Sequence, residues 1–500
     1  MSQRDGAAWT RWPRAWTAGV LMAFPMAVLS VHFAGAEDRS WEPDPWRPAY
    51  HFTPPAGWMN DPNGLIYVGG TYHLFYQFHP FGVDWGPMHW GHATSPDMVH
   101  WAHQPIALAP TPGGPDAGGC FSGSAVDDGG VLSLVYTGHG AAQVQCLATS
   151  QDGRTFVKHP GNPVIGAPPP GFAPSDFRDP KAWRAEGRWW LVAGTKRDGK
   201  GQALLYESAD LRQWMFKAVM AESDGTTGAM WECPDVFAVG GRHLLLVSPN
   251  EGVDRPKVFA ITGRLDYATG RFAQESHRRA DFGFDFYAPQ TFQDGRGRRI
   301  LIGWMENWAR KTWPTKALGW TGAMTVPRLG GLRPDGVPTY TPVPELEALR
   351  RDPVRVGGRE LAPGLLPLPE VGGDALELLV ELRPAAAAAV GLAVRRSADG
   401  RQETRIVYDA KAGTLAIDRE RAGHGDAGVH AAPLVLAPGE ALKLRVFVDR
   451  SSVEVFAQDG SVVLTDRVFP DASSRGVALL AEGGAARLVS LQAWRMAHAR

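Results

Sequence analysis

The sequence predicts an all-β protein in which a five-bladed β-propeller is followed by a C-terminal β-sandwich. A strand–turn–strand unit recurs five times with a period of about 55 residues, and no amphipathic helical pattern separates the copies. The pattern then changes after Tyr340 to alternating strand segments. The 59 glycines and 19 tryptophans also suit a turn-rich β protein. Chance similarity among the hairpins of a β-sandwich is the alternative interpretation of the repeat.

Each copy of the repeat joins two strands through a short turn that contains glycine. The copies span residues 61–76, 123–136, 179–192, 234–247 and 289–303. In a propeller, the first strands of all blades surround one axis. Residues that start these strands are therefore expected to converge, although they lie far apart in the sequence.

The chain divides into four predicted segments. Residues 1–36 are interpreted as a signal peptide, because three arginines precede an apolar run that ends in Ala34-Gly35-Ala36. Residues 37–340 form the propeller, residues 341–356 a short helical linker and residues 357–500 the sandwich. The apolar run is long, so an uncleaved membrane anchor is the alternative for the first segment. We expect a secreted or periplasmic protein, or a cytoplasmic one if the start codon is mis-assigned.

Composition excludes several classes of partner and cofactor. A formal net charge of -1 with scattered basic residues argues against nucleic acid and anionic membranes. The spacing of His73, His89 and His92 does not demand a metal, and no cofactor is implied. Cys120 and Cys146 could form a disulfide, although three cysteines cannot form a complete set of pairs. The oligomeric state is left open.

Three carboxylates stand at the starts of predicted blades: Asp61, Asp179 and Glu232. Hydrolysis of a glycosidic bond needs two carboxyl groups in different protonation states. Trp231 and Cys233 flank Glu232, and this apolar setting favours a protonated acid, whereas amides of the turn would keep Asp61 ionised.

The third carboxylate and the nearby aromatic residues have two interpretations each. Asp179 could stabilise a cationic transition state, or it could form a structural ion pair with Arg178. Trp85 could form an apolar wall for a sugar or pack within a blade. Tyr287 and Trp304 are candidates of the same kind. Cys233 is not expected to be a nucleophile, since no neighbouring histidine activates it.

These residues resemble glycoside hydrolase family 32, which contains invertases, levanases and exo-inulinases. The resemblance covers nearly all of the chain after the predicted signal peptide. The matching motifs are Trp58-Met59-Asn60-Asp61-Pro62-Asn63-Gly64, Phe121-Ser122-Gly123-Ser124, Arg178-Asp179-Pro180, Glu232-Cys233-Pro234 and the segment 449–456. The resemblance implies Asp61 as nucleophile, Glu232 as general acid/base and Asp179 as transition-state stabiliser. It also implies contacts to the sugar, and together with Trp58 the candidates are Asn60, Gln77, Trp85, Phe121, Ser122 and Arg178.

The resemblance implies a retaining glycosidase that releases terminal β-fructofuranosyl units from a small or oligomeric fructoside. Retention predicts that the carboxyl groups of Asp61 and Glu232 lie roughly 5–5.5 Å apart. Sucrose is the first expected substrate. Levan, inulin and sucrose 6-phosphate are the alternative substrates. A non-catalytic sugar-binding protein is the alternative to an enzyme.

Overall fold

The first part of the chain folds into successive antiparallel sheets, as a computed structural model shows for residues 44–251 and 257–499. The predicted signal peptide lies outside these described residues. The first blade contains β1 (Gly57–Val68), β2 (Thr71–His79), β3 (His89–Ser95) and β4 (Ala102–Leu108). The second contains β5 (Gly119–Asp128), β6 (Val131–His139), β7 (Gln143–Ser150) and β8 (Val157–Lys158).

Blades three and four repeat this order. The third contains β9 (Phe177–Ala185), β10 (Arg188–Arg197), β11 (Lys200–Ser208) and β12 (Trp214–Glu222). The fourth contains β13 (Met230–Val239), β14 (Arg242–Glu251), β15 (Phe259–Asp266) and β16 (Arg271–Arg279). The five predicted hairpins coincide with the first two strands of the blades.

The fifth blade also closes the ring. It begins with β17 (Tyr287–Gln293) and β18 (Arg299–Trp304), followed by a 3-10 helix (Pro314–Leu318) and β19 (Trp320–Thr321), and it ends with β20 (Arg328–Leu332) and β21 (Pro338–Pro342). The short β19 leaves this blade and pairs in parallel with β1. The first strands β1, β5, β9, β13 and β17 each contact the next around the axis, and β17 contacts β1. The predicted five-bladed propeller is confirmed.

Every innermost strand carries a β-bulge near its start. The register shifts lie between Met59 and Pro62, Phe121 and Gly123, Arg178 and Lys181, Glu232 and Asp235, and Tyr287 and Gln290. The bulges enclose Asn60 and Asp61 in the first blade, Ser122 in the second, and Asp179, Cys233 and Ala288, each with the proline that follows it, in the other three. A bulge adds an unpaired residue and redirects its side chain. Each blade therefore presents a redirected side chain near the start of its innermost strand.

A β-sandwich follows the propeller, as predicted. Its strands are β22 (Arg350–Val356), β23 (Arg359–Leu361), β24 (Gly364–Gly372), β25 (Leu376–Arg383), β26 (Ala389–Arg396), β27 (Glu403–Asp409), β28 (Thr414–Arg421), β29 (Val429–Pro433), β30 (Leu442–Asp449), β31 (Ser452–Ala457), β32 (Val462–Arg467), β33 (Gly476–Glu482) and β34 (Ala486–Met496). One sheet has the order β22-β34-β25-β30-β31-β32, with β23 also paired to β34, and the other has the order β24-β33-β26-β27-β28-β29. Apolar side chains such as Leu378, Val446 and Leu479 form one buried core in the sandwich.

The predicted linker, residues 341–356, is only partly a linker. A 3-10 helix spans Pro344–Leu349. Residues Arg350–Val356, however, pair with β34 and belong to the first sandwich sheet. This strand lies at the edge of the sheet and most of its residues are exposed, so its sequence lacks the clear alternation of apolar and polar residues that distinguishes a strand from a linker. No helix in the described ranges is long and apolar enough to cross a membrane.

Buried charges join the sandwich to the segment that leads into β1. Asp449 Oδ2 lies 2.8 Å from His51 Nδ1, and Glu454 Oε1 lies 2.9 Å from His51 Nε2. Arg328 Nη2 donates to Glu454 Oε2 (2.6 Å). Although burial alone would lower it, hydrogen bonds to Asp449 and Glu454 raise the pKa of His51 to about 9. The acidic residues of the 449–456 motif thus fix the position of His51, in the segment that leads into the first blade.

Candidate active site

Side chains hold Asp61 in place at the first bulge. Ser122 Oγ donates to Asp61 Oδ2 (2.6 Å), and Asn60 Nδ2 donates to Asp61 Oδ1 (3.0 Å). Trp58 Nε1 in turn donates to Asn60 Oδ1 (2.8 Å). The predicted hydrogen bonds from turn amides are therefore replaced by side-chain donors, since Pro62 has no N–H to offer. Burial raises the pKa of Asp61 to about 6, against the lowering effect of Ser122 and Asn60.

Asp179 occupies the third bulge with a left-handed backbone, at φ 63°. Its amide donates to Thr137 Oγ1 (2.8 Å), and its Oδ2 accepts from the Cys233 amide (3.0 Å). The Cys233 thiol lies 3.6 Å from both Asp179 Oδ2 and Asp61 Oδ2, so the two carboxylates are joined through one side chain. Burial raises the pKa of Asp179 to about 7, although the nearby Arg178 lowers it.

Glu232 has a polar environment, which corrects the apolar one predicted from its neighbours. Arg178 Nη2 and Nε donate to Glu232 Oε1 at 2.9 and 3.1 Å, and Asn250 Nδ2 donates to the same oxygen at 2.7 Å. Tyr287 Oη donates to Glu232 Oε2 (2.6 Å). Successive side chains of a strand point to opposite faces, so Trp231 and Cys233 do not surround the Glu232 carboxyl group. The Glu232 side chain is 16% exposed.

Arg178 connects the third and fourth blades. Its ion pairs are with Glu232 (2.9 Å) and Asp176 (3.5 Å), and its Nη1 donates to Gln143 Oε1 (3.2 Å). Arg178 therefore pairs with Glu232 and Asp176, and the alternative ion pair between Arg178 and Asp179 is not formed. Gln143 and Asp176 were not predicted, and neither belongs to a motif that would have marked it.

The structure adds further residues that sequence reasoning missed. Asn250 reaches Glu232 from the end of β14, Thr137 reaches Asp179 from β6, and Cys233 contacts both aspartates. The sequence predicts only that Cys233 is no nucleophile and does not predict its contact with the aspartates. In the sequence, these residues are marked only by their position near the end of a strand at the propeller axis. Many residues share that position, so it does not identify the ones that contact the carboxylates.

Gln77 lies opposite the first bulge and contacts the site indirectly. Its Nε2 donates to the Cys120 carbonyl (2.9 Å), beside Phe121 and Ser122. With its amide turned to match its neighbours, Asn63 accepts from Gln77 Nε2 (3.0 Å) and donates to Ser122 Oγ (3.2 Å). This chain orients the Ser122 hydroxyl toward Asp61.

Aromatic side chains form one wall of the site. Trp58 stacks on Trp308, with ring centroids 5.9 Å apart and an interplanar angle of 19°. Trp304 contacts Trp58 and Tyr287 and is fully buried, so it supports the wall and presents no free face to a sugar. Trp85 is 49% exposed and meets the edge of Phe121, which stacks on His139. Trp85 thus has an exposed face, and its contact with a sugar stays a prediction.

No cluster of metal-binding side chains occurs in residues 44–251 and 257–499. His73 and His92 form a hydrogen-bonded pair, with Nδ1 and Nε2 3.0 Å apart. Burial lowers the pKa of His73 to about 4 and that of His92 to about 3, so both are neutral at physiological pH. Cys120, Cys146 and Cys233 are free thiols, which leaves the possible Cys120–Cys146 disulfide unformed.

Comparison with known proteins agrees with this geometry. Residues 51–333 match the N-terminal domain model of glycosyl hydrolases family 32, and residues 345–495 match the C-terminal model. A sucrose-6-phosphate hydrolase of Escherichia coli is 43% identical, covering 90% of this chain and 94% of its own. A raffinose invertase of Escherichia coli is 41% identical, covering 90% and 95%.

Solved structures also match across both domains. A GH32 beta-fructofuranosidase of Bombyx mori superposes with a TM-score of 0.79 at 35% identity, covering 91% of this chain and 95% of its own. A mutant of the same Bombyx mori enzyme has been solved in complex with sucrose.

Proposed function

Because this chain belongs to glycosyl hydrolase family 32, we propose that it is a β-fructofuranosidase that releases terminal fructosyl units with retention of configuration. One observation carries the proposal. Asp61, Asp179 and Glu232 come from three blades. The Cys233 thiol lies 3.6 Å from both aspartates, and Arg178, which precedes Asp179, pairs with Glu232. Retaining glycosidases use such paired carboxyl groups, one as nucleophile and one as acid and then base.

In the proposed first step, an Asp61 oxygen attacks the anomeric carbon while Glu232 gives its proton to the glycosidic oxygen. The bond to the leaving sugar breaks, and a fructosyl–Asp61 ester forms. In the second step Glu232 takes a proton from water, which attacks the same carbon and releases fructose and free Asp61. The pKa of about 6 leaves Asp61 largely ionised at neutral pH, as a nucleophile requires.

Asp179 is proposed to stabilise the transition state. It lies close to the Asp61 charge, and both carboxylates are buried. Positive charge that develops on the sugar ring relieves this crowding of negative charge, so the attraction is stronger in the transition state than in the ground state. Arg178 and Asn250 hold Glu232 near the leaving group.

Sucrose is the proposed substrate. The invertase relative from Escherichia coli and the sucrose complex of the Bombyx mori enzyme support this choice. Levan and inulin are the alternatives within the same chemistry. We also propose that residues 1–36 direct secretion or periplasmic export. Sucrose 6-phosphate, the substrate in the name of another relative, arises inside cells and is then disfavoured.

The proposal is tested by measuring kcat/KM of the purified protein on sucrose, sucrose 6-phosphate, inulin and levan. We expect the highest value on sucrose and the β-anomer of fructose as the first product by NMR. The α-anomer would contradict retention, and a preference for a polymer would make the protein an exo-fructanase. The N-terminal residue of protein recovered from the medium or periplasm tests export.

The role of Glu232 is tested with Glu232→Gln. We expect kcat on sucrose to fall about 10²–10⁴-fold, because the general acid is lost. A fructoside whose leaving group needs no proton should lose much less in the fructosylation step. Glu420→Gln, which changes an exposed glutamate of the sandwich, serves as the control. Equal losses on both substrates would contradict the role of Glu232 as acid.

A further inference from the structure

Arg467, the last residue of β32, extends from the sandwich into the fifth blade. Its Nη1 donates to Glu306 Oε1 (2.6 Å), and its Nε donates to the Ser451 carbonyl (2.8 Å). The Arg467 side chain is fully buried. The sandwich therefore places a fixed positive charge beside the segment 305–313, which links β18 to the following 3-10 helix.

Arg467 belongs to a cluster of buried charged side chains that also contains Arg310, Arg419, Asp285, Glu306 and Asp466. Glu306 also pairs with Arg310, and Arg310 pairs with Asp285. Asp285 Oδ2 accepts from the Arg467 amide (2.7 Å), which completes the ring. Arg419 pairs with Asp285 and Asp466, so three arginines balance three carboxylates. The cluster fixes Glu306 and Arg310 within the segment 305–313, and Asp285 just before the fifth blade.

The segment 305–313 carries Trp308, which connects the cluster to Asp61. Trp308 stacks on Trp58, and Trp58 donates to Asn60, which donates to Asp61. Trp308 is 41% exposed, and its ring also contacts the buried Trp304 at a centroid distance of 4.9 Å. Its backbone belongs to the segment that the charge cluster fixes at Glu306 and Arg310.

Asp285 connects the same cluster to Glu232. It stands two residues before Tyr287, whose hydroxyl oxygen lies 2.6 Å from Glu232 Oε2 and 3.0 Å from the Ser248 carbonyl oxygen. One cluster therefore lies at the base of both chains of contacts, one ending at the proposed nucleophile and one at the proposed acid.

We propose that Arg467 is a positioning residue through which the β-sandwich sets the geometry of the two catalytic carboxylates. This inference rests on the proposed function. Buried ion clusters contribute little net stability compared with apolar packing of the same volume. A misplacement of about 1 Å, in contrast, can cost about 10²-fold in rate. The cluster is thus suited to fixing geometry.

The test compares Arg467→Met with Arg350→Met at a temperature where both variants are folded. Arg350 likewise pairs with a buried glutamate, Glu377, but lies entirely within the sandwich. In Arg467→Met we expect kcat on sucrose to fall at least about tenfold with a smaller change in KM. The acid limb of kcat/KM, expected near pH 6, should move to higher pH, because a loosened Asn60 no longer lowers the pKa of Asp61. Arg350→Met should keep the wild-type values.

A second variant covers the case in which Arg467→Met does not fold. Trp308→Leu interrupts the chain of contacts near Asp61 and leaves the charge cluster intact. The same shift of the acid limb is expected. Wild-type kcat and acid limb in a folded Arg467→Met, or in Trp308→Leu, would overturn the positioning role. If the wild-type protein releases no fructose from any fructoside, the proposed function itself fails.

Discussion

Asp61 and Asp179 are ionisable groups that folding removes from water. Burial raises the pKa of Asp61 to about 6 and that of Asp179 to about 7. A carboxyl group whose pKa is higher in the folded protein than in the unfolded chain binds protons more tightly when folded. Stability therefore falls as the pH rises from about 4 through these values. The ionised state that the mechanism uses is the one that the fold tolerates least.

Asp179→Asn is expected to make the protein more stable and less active. At pH 8 the free energy of unfolding should rise by about 1–3 kcal/mol, and the gain should disappear toward pH 4. Thermal unfolding of wild type and variant across this pH range measures the effect. Asp198→Asn, at a carboxylate that is 89% exposed, is the control. A variant no more stable than wild type at pH 8 would show that burial of Asp179 carries no such cost.

The three carboxylates could be predicted from the sequence because each opens a copy of the repeat. Their surroundings could not. Arg178, Asn250 and Tyr287 reach Glu232 from three other strands, and the sequence distances to Arg178 and Tyr287 are 54 and 55 residues. Contacts of this kind depend on side-chain direction across blades. The flanking residues Trp231 and Cys233 therefore suggested the wrong environment.

Among the structural elements, β19 decides how closely the first and last blades approach. Gly322 follows this two-residue strand with φ 96°, and a Cβ there would lie 2.1 Å from the Met59 carbonyl oxygen. Met59 directly precedes the bulge of Asn60 and Asp61. Periodicity predicted the hairpins, but a two-residue strand carries too little pattern to be recognised. The bulges were missed for a related reason, since an alternating pattern does not reveal an extra residue.

Gly322→Ala is expected to destabilise the protein and to lower kcat. The new methyl group must displace the backbone of Met59, in addition to the strain of a left-handed residue, which costs about 1–2 kcal/mol. Gly319→Ala is a matched control, because Gly319 has φ 83° and nothing within 4 Å of its Cβ position. Denaturant unfolding and sucrose hydrolysis should separate the two variants. Equal effects would mean that the contact with Met59 is unimportant.

At the scale of the whole molecule, the propeller and the sandwich share a junction built from charges. His51 lies between Asp449 and Glu454, and Asp281 and Arg328 extend the same network. The order of the domains followed from the change of pattern along the chain. The junction could not be predicted in this way, because His51 and Asp449 stand 398 residues apart and the sequence around each of them does not indicate the other as its partner.

The junction predicts a loss of stability in alkaline solution. Because the pKa of His51 is raised to about 9, its contribution is complete below about pH 6.5 and is lost as the pH rises through 9. The expected loss in the free energy of unfolding is about 2–3 kcal/mol. Thermal unfolding between pH 7.5 and 9.5 measures the loss at pH values above the pKa of about 6 of Asp61 and that of about 7 of Asp179.

His51→Gln should be less stable than wild type at pH 7.5 and should show a flatter dependence on pH in this range. His100→Gln changes a histidine whose side chain is 47% exposed and should follow the wild-type curve. If the stability of His51→Gln depended on pH as steeply as that of the wild type, groups other than His51 would cause the loss of stability in alkaline solution.

Three of the five bulges have the same backbone conformation but carry different side chains. Asp179, Cys233 and Ala288 share a left-handed backbone, with φ 63°, 47° and 47°, and a proline follows each of them. Their side chains are an acid, a thiol and a methyl group. Three blades thus share a backbone that aims a side chain toward the axis, while the chemistry of that side chain differs from blade to blade. The conformation of the bulge does not depend on whether the aimed side chain is an acid.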